Sequence, residues 1–176
     1  GDGCRSLFLS DFSNNFLFFK IDTRFWKIKY ENIFAELMAD YTNPIDTLRP
    51  KKYMTMHHLD VQVFPWLHIG FYESTMFERS GGYELSYLNP VIFLRSAEQQ
   101  LGSPDNANVG IDFKINALKN VQLYGQLLLD EFVFSEVTHY NRGSWVNKQA
   151  LQLGAKYIDA FTIKNLDLQV EANIIR

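Results

Sequence analysis

Strict alternation of apolar and polar side chains, sustained through most of the chain, is the feature that most restricts its fold. In residues 166–174 Leu166, Leu168, Val170, Ala172 and Ile174 face one way. Asp167, Gln169, Glu171 and Asn173 face the other. Successive side chains of a strand point to opposite faces, so period-two patterning of this kind writes a β-strand with one dry and one wet side. The pattern recurs at 109–117, at 151–157 and at 58–63. From Val121, an apolar row of Leu123, Gly125, Leu127 and Leu129 opposes Gln122, Tyr124, Gln126 and Asp130.

Strand-like runs are predicted at roughly 15–24, 27–40, 52–64, 67–78, 107–117, 121–133, 147–161 and 166–176. Short links fall at Arg24-Phe25-Trp26, Phe64-Pro65-Trp66, Leu118-Lys119-Asn120 and residues 162–165. Longer ones span 41–51, 79–106 and 134–146 and carry Pro44, Pro50, Gly81, Gly82, Pro104 and Gly143 as breakers. Asn120 and Asn165 suit tight turns, because Asn tolerates left-handed backbone. Short turns at one end and long loops at the other is the layout of an outer-membrane β-barrel. The expected fold is therefore all-β, an antiparallel transmembrane barrel with about eight or nine strands here. It forms a single partial barrel domain over 1–176, with a helix-containing loop insertion at 87–101. In that insertion Pro90 can open a helix over 91–101 that stops at Gly102, ahead of a polar turn at 103–106.

Composition narrows the function classes. A net charge of −3 leaves no basic excess for nucleic acid. A single cysteine, Cys4, allows neither an internal disulfide nor a thiolate metal cluster. No window reaches the roughly 18 apolar residues of a membrane helix, but a barrel strand leaves no such peak. The start at Gly1, without Met or a signal-peptide pattern, and the end inside a strand pattern at Arg176 suggest a piece of a longer chain.

Two patterns favour lipid over a buried core on the dry side. Aromatic residues make up 15% of the chain, and they gather near strand ends: Phe25, Trp26, Phe64, Trp66, Phe132, Phe134, Tyr140, Trp145 and Phe161. Barrel walls carry such girdles at both membrane boundaries. The polar rows mix Gln, Asn, Asp, Lys and Tyr, as an aqueous lumen does. Gln122, Gln126, Asp130, Lys156, Gln169 and Glu171 are the expected lumen-facing polar residues. Three places resist the pattern. Residues 16–19 and 33–37 break clean alternation, and Glu73 falls on the dry side, where it would need a boundary position or a bulge. A soluble β-sandwich or barrel module for carbohydrate binding or adhesion is the alternative.

Candidate chemistry is sparse. His58 and Asp60 share a face while His57 points away, so at most two ligands converge, fewer than a zinc site needs. Asp130 and Glu131 are neighbours on opposite faces and cannot act as a glycosidase pair. No serine or cysteine triad, phosphate loop or dinucleotide fingerprint occurs. No catalytic residues, cofactor or metal are expected, and the reading is non-enzymatic. In the 87–106 loop, Arg95, Glu98, Asp105 and Asn106 are candidate polysaccharide ligands, since an Arg fork and amides suit carboxylates and hydroxyls. The bland alternative is that Arg95 and Glu98 only pin the loop to the wall.

The stretch 87–106 (Tyr-Leu-Asn-Pro-Val-Ile-Phe-Leu-Arg-Ser-Ala-Glu-Gln-Gln-Leu-Gly-Ser-Pro-Asp-Asn) and Val121-Gln-Leu-Tyr-Gly-Gln-Leu-Leu-Leu-Asp-Glu131 resemble the capsule-assembly Wzi family. Leu7-Phe-Leu-Ser-Asp-Phe12 and His68-Ile-Gly-Phe-Tyr-Glu-Ser74 are similar too, within it to the RemB members of gliding Bacteroidota. The resemblance implies a large barrel in the outer membrane of a Gram-negative bacterium, of which this chain is less than half. It also implies surface polysaccharide, or other motility or secretion proteins, as partners besides outer-membrane lipid. It brings no catalytic residues.

Overall fold

The computed structural model describes residues 3–9, 14–42, 48–79, 82–91, 105–130 and 148–175. Eight strands form one antiparallel sheet in which every strand pairs with its sequence neighbours. They are β1 (Leu17–Phe25), β2 (Ile28–Met38), β3 (Lys51–Phe64), β4 (Leu67–Phe77), β5 (Asn106–Ala117), β6 (Val121–Asp130), β7 (Lys148–Tyr157) and β8 (Leu168–Ile175). β1 and β8 are not paired with each other, so the sheet is open, the form of an arc of barrel. Strand lengths, from 8 residues in β8 to 14 in β3, bracket the roughly 9–11 that cross a bilayer at a tilt.

The predicted strands match within a few residues, and the rhythm of connections holds. Links 26–27, 65–66 and 118–120 lie at one end of the meander, and the strand ends that border 39–50, 78–105 and 131–147, spans that fall largely outside the described residues, lie at the other. The last link corrects the expectation. β7 ends at Tyr157, and the chain makes a 3-10 turn at Ala160–Thr162 before β8. Asp159, Phe161, Thr162 and Asn165 all take positive φ there, so residues 158–167 fold as two tight turns closed by Ala160 N–H to the Leu166 carbonyl, 2.7 Å. Asn165 does supply left-handed backbone. At 118–120 that role falls to Leu118, with φ 57°, while Asn120 uses its amide to donate to the Ile158 carbonyl, 3.0 Å.

The register carries the alternation across the whole sheet. Gln122 lies opposite Lys156, Lys156 opposite Gln169, Gln126 opposite Gln152, and Tyr124 opposite Gly154, which meets Glu171. All six predicted wet-side residues therefore share one face. The opposite face exposes Ile69, Phe71, Ile111, Leu123, Leu151, Leu153, Val170 and Ile174. Phe25, Trp26, Phe64, Trp66 and Phe161 are exposed at the short-link end, where Phe64 and Trp66 stack at 5.4 Å. The aromatic positions at 132, 134, 140 and 145 lie outside the described residues, as does the helix expected over 91–101 beyond Val91. What precedes it is a 3-10 turn at Leu85–Leu88.

Candidate functional site

Towards the short links, the wet face of β1–β5 is a charged network beside a cleft of about 650 Å³. Glu31 of β2 accepts from Lys20 of β1 and from Lys29, at 2.9 Å for the latter. Across to β3, its second carboxylate oxygen faces His58 Nδ1 at 3.5 Å. The other ring nitrogen of His58 reaches Asp112 of β5 at 2.7 Å, passing over β4. Gly70 is the β4 residue beneath that bridge, and a Cβ there would collide with the Asp112 carboxylate. Below it, Asp60 pairs with His68, 2.9 Å. His57 and His58 do point to opposite faces, as adjacent strand residues must.

Over β6–β8 the network turns into amides, a phenol and a carboxylate. The Tyr124 hydroxyl donates to Glu171, 2.8 Å, and accepts from the Gln169 amide, 2.6 Å. Lys156 sits 5.4 Å from the Tyr124 ring centre. Gln122 donates to Asn116, 3.0 Å. Asp130 meets Lys148 only at 3.8 Å, and its neighbour Glu131 lies outside the described residues.

Residues 3–9, which precede β1, lie across this face. Glu171 accepts from the backbone N–H groups of Cys4 and Arg5 at 2.8 and 3.2 Å. Gln152 donates to the Arg5 carbonyl. Gln126 accepts from Leu7 N–H, 2.8 Å, and from the Ser6 hydroxyl, 3.3 Å. Phe8 stacks on Tyr72 with ring centres 4.2 Å apart and planes within 3°. It also covers Gly110, where a Cβ would sit 2.6 Å from the Phe8 ring. Phe8 and Leu9 then pack on Ile33, Ala35, Met54 and Met56. This explains the broken alternation at 33–37. Ile33 and Ala35 belong to the wet face but are dry, because the crossing segment seals them.

The dry face has the converse exception. In β2–β4 it carries Asn32, Thr55, His57, Glu73 and Thr75, all buried. Glu73 accepts from, or pairs with, His57 Nδ1 at 2.9 Å. The sheet's register shift lies between Gln62 and Phe64, away from Glu73, so a bulge is not the explanation. Residues 82–91 lie against the part of this patch around Thr55. The Tyr83 hydroxyl bonds Thr55, Thr55 donates to the Tyr87 carbonyl at 3.0 Å, and Tyr30 donates to the Pro90 carbonyl at 2.7 Å. Tyr83 and Tyr87 pack with Tyr53 and Phe77 in an aromatic cluster. Burial raises the Tyr83 phenol above its ordinary value of 10.0.

Of the four predicted loop ligands, Arg95 and Glu98 lie outside the described residues. Asp105 is committed elsewhere. It accepts a two-pronged bond from Arg79 at 2.8 and 2.6 Å and a third from Tyr87, 2.7 Å, and its side chain is 5% exposed. This fork raises the Arg79 pKa and pins the covering loop. Asn106 opens β5 with its side-chain oxygen buried and without a hydrogen bond among the described residues. Sequence reasoning missed Arg79, Tyr83 and Tyr87 as a clasp, and Phe8 as a lining group. The signal for both was the places where alternation failed. Together, the wet face offers carboxylates, amides, imidazoles and phenols at close spacing, a surface suited to hydrogen-bonding a polar chain. No known family model, curated protein or solved structure matches the chain.

Proposed function

We propose that this chain is part of a non-enzymatic outer-membrane β-barrel at the cell surface, acting in attachment of capsule or exopolysaccharide or in gliding motility. One observation carries the membrane part of the reading. Through β5–β8 a continuous face of exposed Ile, Leu and Val backs onto an opposite face of Gln, Asn, Asp, Lys, Glu and Tyr. Exposed apolar area of that extent on a protein in water is an aggregation hazard; in a bilayer it is the wall. The polysaccharide part rests on the family resemblance and on the hydrogen-bonding character of the wet face.

The covered polar patch under residues 82–91 favours a second reading, a soluble β-module for carbohydrate binding or adhesion. It shows that protein, not only lipid, can lie against the dry face. Fractionation of cells expressing the full gene separates the two. The barrel is expected in the outer-membrane fraction, soluble only in detergent, with gel mobility that changes on heating. A detergent-free soluble monomer would overturn it. Glycan-array binding by the intact protein, reduced by Arg95→Ala, is the expected result for the sugar part. No binding by the intact protein removes that part alone.

A further inference from the structure

We infer that residues 3–9 are an interior strap that obstructs the wet side of the barrel along β3–β8, and that its release widens the passage for solutes. The inference rests on the barrel reading, which makes the wet face a lumen. The segment touches six strands in order: Glu171 of β8, Gln152 of β7, Gln126 of β6, Gly110 of β5, Tyr72 of β4 and the Met54–Met56 region of β3. It therefore runs across the strands, not along them, and on the barrel reading narrows the lumen on the side that β3–β8 form.

Residues 3–5 and 7–9 are bends, so the segment crosses as a kinked chain and not at full stretch. Long side chains rise from the sheet to meet the segment, and these contacts hold it at both ends. At the β6–β8 end the anchors are polar: Glu171, Gln152 and Gln126 bond main-chain groups of Cys4, Arg5 and Leu7. At the β3–β5 end the anchor is apolar, Phe8 between Tyr72 and Gly110.

The two kinds of anchor matter for how the strap lets go. Among the described residues, none of these bonds belongs to a strand ladder. Each joins a main-chain group of the segment to a side chain of the wall, or one side chain to another. Such bonds exchange with water at modest net cost, less so for the two that the Glu171 carboxylate accepts. The strap is thus held by a short list of replaceable contacts, and a polar chain entering the lumen presents the same kinds of donors and acceptors that Glu171 and Gln126 now satisfy.

Conductance across planar lipid bilayers tests the inference with the full-length protein. The wild type is expected to pass little current. Deletion of residues 3–9, and separately the substitution Phe8→Ala combined with Gln126→Ala, is expected to raise single-channel conductance several-fold. Each variant is first checked for heat-modifiable gel mobility, so that a folded wall is established before current is read. A folded variant with unchanged conductance overturns the strap, and so does a wild type that already conducts as freely as the deletion. Failure of the intact protein to show heat-modifiable mobility or membrane insertion instead overturns the barrel reading beneath it.

Discussion

β5–β8 and the half of β2–β4 nearest the long connections are built from the same hairpins but carry opposite polarity. In β5–β8 the wet face is amide and charge, and the other face is exposed Leu, Ile and Val. In β2–β4 Ile33, Ala35, Met54 and Met56 sit on the wet side, while Asn32, Thr55, His57, Glu73 and Thr75 sit on the dry side. The difference lies in what is laid against each face. Residues 3–9 dry the inside of β2–β4, and residues 82–91 shield its outside. A sheet face takes its character from its neighbour, so a strand's polarity pattern reports the solvent only where nothing else is docked.

The sharpest test of that contrast is the buried His57–Glu73 pair. Glu73→Ala is expected to cost about 3–5 kcal/mol, because it leaves an imidazole sealed without its partner. The double change His57→Leu with Glu73→Leu should cost much less than the single one. Urea unfolding in detergent micelles measures both, and a double variant as unstable as Glu73→Ala would refute a covered, pairwise patch. On the inner side, Ile33→Ala should cost about 2–5 kcal/mol if Leu9 and Phe8 seal it. Val170→Ala, at 70% exposure, is expected to stay within about 0.5 kcal/mol; equal effects would erase the distinction between sealed and open faces.

A charge on the open dry face probes its solvent. If that face meets lipid, as proposed, Ile111→Arg is expected to destabilise the fold by about 2–4 kcal/mol at mid-depth, read as a lower temperature for the heat-induced gel shift. In a soluble module the same change would cost almost nothing. The smallest effect concerns pH. Burial raises the folded-state pKa of Tyr83, so its contribution is complete below the unfolded value of about 10 and is lost as pH climbs through the folded one. Trypsin cleavage after Arg79 should accelerate above that pH in the wild type and much less in Tyr83→Phe.

Much of this could be read from the residues. Eight strands, their ends within a few positions and the faces of Gln122, Gln126, Lys156, Gln169 and Glu171 all follow from period-two spacing. Glu73 and residues 33–37 marked the anomaly correctly but not its cause. Spacing says which way a side chain points; it contains nothing about a segment many residues away that comes to lie there. Asp105 shows the same limit. Its position in a polar turn suggested an open ligand, yet Arg79 and Tyr87, distant by 26 and 18 positions, had already claimed it. At 118–120 the turn chemistry favoured Asn120 for the left-handed position, and the backbone used Leu118.

The crossing of residues 3–9 also bears on the order of assembly. Each hairpin of the meander joins neighbours in sequence, so β1 through β8 can zip together by short-range closure as the chain becomes available. The bond from Cys4 to Glu171 spans 167 positions, and its loop-closure entropy can be met only after the last of these strands is in place. The segment that precedes β1 therefore settles only after β8 is in place, and until then the apolar patch at Ile33 and Met56 stays open to water.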